Sequence, residues 1–201
     1  SNVTEDEAGV TFTATLSNAS QGVTTVVTNL GTITIADGQT TGDLVLQPTQ
    51  DSDVYIDPDN LTATITSATG GNFEDLDIDI ASATAQITDT PDITTVSLST
   101  KDVTEDEAGV TFTATLSNAS QGVTTVVTDL GTITIADGDT TGTMFVGTQD
   151  SDVYLDADTL SNTITSATGG NFESLTIGTK SATAQIADTT DVTTVSLSTS
   201  N

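Results

Sequence analysis

The chain has 201 residues, with 29 acidic side chains against two lysines, no histidine, cysteine, tryptophan or arginine, and a formal charge of -27. Without imidazole or thiol it has no Ser-His-Asp or Cys-His nucleophile, and no nitrogen or sulfur ligand for zinc, haem or an iron-sulfur cluster. With almost no Lys or Arg it repels nucleic acid and anionic membrane surfaces, and no apolar run nears the roughly 18 residues of a membrane-spanning helix.

Val3 to Thr28 recurs unchanged at Val103 to Thr128, and the rest aligns at a shift of 100, then 99 after Pro48. The chain is therefore read as two domains of one pattern, 1–91 and 92–190, followed by 191–201 as the first strand of a further repeat. One period predicts seven strands in chain order: Thr94 to Lys101, Gly109 to Leu116, Val123 to Asp129, Thr132 to Ala136, Thr141 to Val146, Leu160 to Ser166, and Phe172 to Ala187 with a break near Gly178. The second shows the logic best: Val110, Phe112, Ala114 and Leu116 alternate with threonines, whose β-branched polar side chains suit the wet face of a pleated sheet. Turn-forming clusters such as SNASQG, ADGDTTG and ATGGN separate the strands, and no stretch has helical spacing. Seven short strands in about 100 residues predict an all-β chain of two tandem immunoglobulin-like Greek-key β-sandwich domains. Val96 (or its tail counterpart Val195), Leu98, Phe112, Leu116, Ile133, Ile135, Ile164, Leu175, Ile177 and Ile186 are expected to point inward.

On this phasing the first copy starts after its first strand, while Thr193 to Thr199 is a first strand with no domain behind it. Unpaired sheet edges recruit strands, so the tail is expected to add to the first domain of a neighbouring molecule.

Strand parity gathers the densest acidic clusters at one pole. These are Glu5, Asp6 and Glu7 before the second strand; Asp51, Asp53, Asp57 and Asp59 between the fifth and sixth; and Asp89 and Asp92 after the seventh. The second copy repeats them as Glu105, Asp106, Glu107, Asp150, Asp152, Asp156, Asp158, Asp188 and Asp191. Carboxylates so collected repel unless neutralised, and calcium, which takes 6 to 8 oxygen ligands in flexible geometry, is the matching ion. Comparison of the copies separates these acids from others. Asp75, Asp77 and Asp79 become Ser174, Thr176 and Gly178, as a solvated strand face allows, whereas Asp51, Asp53, Asp57, Asp59, Asp89 and Asp92 all keep their counterparts. An EF-hand does not fit, because a loop begun at Asp51 places Ile56 where Gly is needed and Thr62 where Glu is needed. The expected site is interdomain, with Asn118, Asp137 or Glu173 as further oxygen donors from the facing pole.

The wording of VTEDEAGVTFTATLSNASQGVTT, GTITIADG, DSDVYIDPDNLTATIT and SATAQITDT resembles the tandem extender repeats of giant biofilm adhesins exported by type I secretion, the repeats-in-toxin adhesins of LapA type. The resemblance implies calcium that rigidifies successive immunoglobulin-like domains. It also implies an extracellular location on the bacterial cell surface, neighbouring repeats of the same chain as partners, and a role in projecting a ligand-binding tip. It is similar, too, to the cadherin scheme of calcium shared between loops and linker, although the cadherin linker motif is absent. The competing reading is an adhesive module that recognises glycan or a partner cell through its loops. Paired carboxylates on convex loops, without an aromatic platform for sugar rings, do not suggest a glycosidase, so no enzyme is expected. Tyr55 and Tyr154 read as sandwich-corner tyrosines.

Overall fold

Threonine, valine and isoleucine at alternating positions build strands throughout this chain, and the described residues contain no helix. The computed structural model describes residues 2–7, 9–47, 53–147 and 152–200. It divides into two units, Ser1–Thr90 and Pro91–Asn201.

The first unit contains β1 (Asn2–Thr4), β2 (Val10–Thr15), β3 (Thr24–Thr28), β4 (Thr32–Ile35), β5 (Thr41–Leu46), β6 (Asp59–Gly70) and β7 (Ser82–Thr88). One sheet has the order β1-β7-β6-β3-β4, and β2 pairs with β5 in a second. The second unit contains β8 (Ile93–Ser99), β9 (Val103–Thr104), β10 (Gly109–Leu116), β11 (Thr124–Thr128), β12 (Thr132–Ile135), β13 (Thr141–Gly147), β14 (Asp158–Gly169), β15 (Ser174–Ile177) and β16 (Ser181–Ala187). Its sheets run β13-β10-β8-β15 and β12-β11-β14-β16-β9. Each unit is an immunoglobulin-like sandwich. The chain crosses between sheets after β9, β10, β12, β13, β14 and β15, and the entering strand switches sheets between β8 and β9.

Both parts of that entering strand lie parallel to the leaving strand, β8 against β15 and β9 against β16. All other pairings are antiparallel apart from β1 on β7, the first unit's equivalent of β9 on β16. The direction of the chain therefore alternates strand by strand, and the connections before β2, between β5 and β6, and after β7 share one pole.

The core follows the period of two. Val110, Phe112, Ala114 and Leu116 of β10 are buried against Val96 and Leu98 of β8 and Val126, Ile133, Ile135, Ile164 and Ile186 of the facing elements. The expected inward positions differ at three residues. Leu175 is only half-buried and Ile177 is 37% exposed, because β15 is an edge strand flanked on one side alone. Val195 is 99% exposed, whereas its equivalent Val96 is fully buried. Tyr154 is 72% exposed and makes no sandwich corner; Tyr55 is half-buried. Turn chemistry matches the sequence, with Gly70, Gly71 and Asn72 all at positive φ in the ATGGN segment, a conformation glycine and asparagine tolerate best.

Candidate metal centre

The centre begins with a backbone register. β1 pairs in parallel with β7 as far as Thr4 with Thr88, and the ladder ends on a hydrogen bond from Glu5 N to Thr88 O of 3.1 Å. Glu7 N donates to Thr4 O at 3.0 Å, so the chain turns immediately and sets the Glu5 side chain into the pole of the sandwich. There it is 5% exposed, and Oε1 accepts a 2.8 Å hydrogen bond from Thr90 N, the residue at which the chain leaves the unit. Asp57 N in turn donates to Asp89 Oδ2 at 3.2 Å. Glu5, Asp57 and Asp89 each bring a carboxylate oxygen to within 4.8 Å of the others.

The second unit builds the same pole. Glu105 N donates to Ala187 O at 3.0 Å, and the side chain is 3% exposed, its Oε1 accepting from Thr189 N at 2.7 Å and from Thr189 Oγ1 at 2.8 Å. Asp156 N donates to Asp188 Oδ1 at 3.3 Å. Here Glu105, Asp152 and Asp156 form the close group. Asp152, like its counterpart Asp53, is oriented by a hydrogen bond from the amide two residues on, Tyr154 N or Tyr55 N, at 2.7 Å in both units. The two groups share Glu5 or Glu105 and Asp57 or Asp156, and differ in the third member, Asp89 in the first unit and Asp152 in the second.

The other candidate acids lie outside it. Asp6, Glu7, Asp106 and Glu107 are exposed, and Asp59 and Asp158 turn an oxygen back onto the amides of Asn60 and Thr159. Asp92 belongs to the second unit, where its amide donates to Glu173 Oε2 at 2.7 Å beside the start of β8, the end remote from Glu105. Asp191 is exposed in the tail. Asp137 Oδ1 accepts from Gly122 N at 2.7 Å, and Asn118 donates to Thr94 Oγ1 at 3.0 Å, so both have structural roles within their unit. Asp51 and Asp150 fall outside the described residues.

Sequence reading missed Thr90 and Thr189, whose signal was their fixed place directly after Asp89 and Asp188. Thr90 Oγ1 is buried and has no hydrogen-bond partner among the described residues.

The donor set fits a hard dication. It is all oxygen, and ligands on one Ca²⁺ at about 2.3 to 2.6 Å stand no more than roughly 5 Å apart, the spacing found here. Two lysines cannot neutralise such groups in both units, and a buried carboxylate without a counter-charge is costly.

A family model described as LapA domain matches residues 1–90 and again 92–189. No curated protein matches the chain. Among solved structures, one titled "Crystal structure of CBD12 from CALX1.2" aligns with a TM-score of 0.41 and 9% sequence identity, covering 92% of this chain and 96% of that one.

Proposed function

The chain belongs to the LapA domain family of adhesins, and from that membership and the acidic pole of each unit we propose that it forms spacer repeats of a bacterial surface adhesin, stiffened by calcium. The family is one of adhesin domains and not of enzymes. One observation carries the calcium reading: both units bury a glutamate, Glu5 or Glu105, within a group of three carboxylates at the same pole.

The residues suggest how stiffness would arise. Glu5 holds the amide of Thr90 against the end of β7, and Asp89 holds the amide of Asp57. These bonds fix the direction in which the chain leaves the unit only while the carboxylates can stay close together. A bound dication supplies the positive charge that permits this. Without it, Glu5, Asp57 and Asp89 repel, and the exit segment gains freedom. Sites of this class in extracellular modules bind calcium with Kd on the order of 10⁻⁴ to 10⁻³ M, which suits the exterior of a cell. A run of such units would act as a rod that carries an adhesive tip away from the surface.

Spacer is favoured over glycan reader because the connections at the opposite pole are occupied internally. Asp37 and Asp137 accept from Gly22 N and Gly122 N at 2.7 Å, and Ser20 and Ser120 hydroxyls bond Thr24 and Thr124 at 2.6 Å.

Thermal unfolding and small-angle scattering of the 201-residue chain, with calcium, magnesium or chelator, test the proposal. Calcium at a hundredfold excess over its Kd contributes about 2.7 kcal/mol to stability and is expected to narrow the distribution of chain dimensions. Superimposable curves with calcium and with chelator would refute it.

A further inference from the structure

The acids that separate the two copies all map to one sheet. Asp43, Asp75, Asp77 and Asp79 of the first unit are replaced by Thr143, Ser174, Thr176 and Gly178, whereas every other acid of residues 3–90 keeps an acidic counterpart. Thr143 lies on β13, Ser174 and Thr176 lie on β15, and Gly178 follows directly. These are the two edge strands of the sheet β13-β10-β8-β15. No residue of its four strands is charged, in a chain of net charge -27.

The outward face of this sheet is built of hydroxyls around one aromatic ring. Thr111, Thr113 and Thr115 alternate with the buried residues of β10, and the register sets them opposite Phe145, Thr143 and Thr141. In the first unit the Thr13 hydroxyl donates to Asp43 Oδ1 at 2.6 Å. Thr143 offers no carboxylate, so the equivalent Thr113 hydroxyl is released from that bond.

Two neighbouring changes create the ring. Val45 and Gln47 of the first unit become Phe145 and Gly147. A Cβ added at Gly9 would lie 3.5 Å from Gln47 Nε2, and one added at Gly109 would lie 2.8 Å from Phe145 Cζ. The ring therefore leans across the pair of strands into the space above Gly109, and it stays 58% exposed. A ring over a glycine supports a sheet, but Gln47 fills the same space in the first unit, so packing alone does not call for an aromatic residue.

We propose that this face of the second unit binds a neutral polysaccharide chain, with Phe145 as the platform for a sugar ring and the threonine hydroxyls as its polar partners. Charge selects the class of ligand. A cationic partner would gain from the acids that are missing here, and an anionic one is repelled by the rest of the chain. Covering a carboxylate with a neutral ligand costs far more than covering a hydroxyl, which is why clearing the acids favours a neutral one. Sugars present hydroxyls at their edges and C–H groups on their faces, matching threonines set around a ring. Area argues against a second copy as the occupant. Four strands about 4.8 Å apart and up to seven residues long offer about 400 Å², half of the roughly 800 Å² per partner that a stable interface buries. The contact runs along the flank of the unit, so it adds to the spacer role without using the connections at either pole.

Affinity electrophoresis of the 201-residue chain in native gels containing laminarin, dextran or mannan, with alginate as the anionic control, tests this. At least one neutral polymer is expected to retard the chain, and alginate is not. Phe145→Val and Thr143→Asp each restore the residue that the first unit carries in the same strand, so both are expected to fold, as melting curves will check. Each is expected to weaken the retardation about tenfold or more. No retardation by any neutral polymer, retardation by alginate alone, or retardation unchanged in either variant would overturn the proposal. So would a mass that rises with concentration in sedimentation and falls back with Phe145→Val, since the occupant would then be a second copy.

Discussion

Replacing Glu5 by glutamine tests the electrostatics of the acidic pole, because its effect on stability should reverse sign with calcium. Glu5 forms two carboxylate pairs, with Asp57 and Asp89, whose nearest oxygens lie within 4.8 Å. Two unit charges at that separation repel by about 3.5 kcal/mol at an effective dielectric constant of roughly 20. Asp57 is exposed and each charge is spread over two oxygens, so solvent roughly halves the total, to about 3 kcal/mol for the two pairs. Glutamine keeps the shape and the acceptor for Thr90 N but makes that hydrogen bond a neutral one, giving back about 1 kcal/mol. The net is a gain of about 2 kcal/mol for Glu5→Gln in chelator, or about 10 °C in the melting temperature of a unit of this size. In millimolar calcium the same variant loses a ligand charge and is expected to melt below the parent. Calorimetry on both proteins, with and without calcium, reads the crossing directly, and Glu105→Gln repeats it in the second unit. If Glu5→Gln shifts both melting curves in the same direction by the same amount, the carboxylate is structural and the reasoning fails.

Two further predictions concern the core. Asn162 is fully buried in β14 where the first unit has Ala63, and its Nδ2 has no hydrogen-bond partner among the described residues, while Oδ1 accepts from Thr163 N and Leu130 N. In the first unit Asn29, replaced by Asp129 in the second, donates to Thr62 O and accepts from Thr64 N. Transplanting that arrangement with Asn162→Ala and Asp129→Asn is expected to stabilise the second unit by about 1 to 2 kcal/mol in urea unfolding, and no change or a loss would contradict it. Leu116→Ala, at the buried position opposite Val96 of β8, is expected to cost about 2 to 4 kcal/mol. The identical change at Leu16, half-buried in the first unit, is expected to cost less than about 1.5 kcal/mol. Equal costs at the two sites would contradict this difference in burial.

Much of the fold is legible in the sequence where alternation is unbroken. The expected strand Gly109 to Leu116 coincides with β10, and the break near Gly178 divides β15 from β16. β14 runs well beyond the expected Leu160 to Ser166, from Asp158 to Gly169, because its first half pairs with β16 and its second half with β11. Neither half has alternation strong enough to mark its end. Val96 and Val195 show the harder limit: one local sequence is buried or bare according to whether a partner sheet is present. For the acidic pole, strand parity brings the right segments together, but it does not say which acids meet. That choice depends on the register of β1 on β7, which buries Glu5 and leaves the adjoining Asp6 and Glu7 in water.

The parallel pairing of entering and leaving strands has a mechanical consequence. When a molecule is pulled by its ends, tension arrives in the first unit on β1 and departs along β7, strands that run side by side in one direction; in the second it arrives on β8, parallel to β15, and passes through β9, parallel to the departing β16. Their hydrogen bonds are then loaded in shear and must yield together, unlike a hairpin, which peels one bond at a time. The acidic pole sits at the end of that shear zone, where Glu5 and Glu105 extend the ladder onto the departing chain. In the first unit, tension along the chain is therefore resisted beside the place where the carboxylates gather.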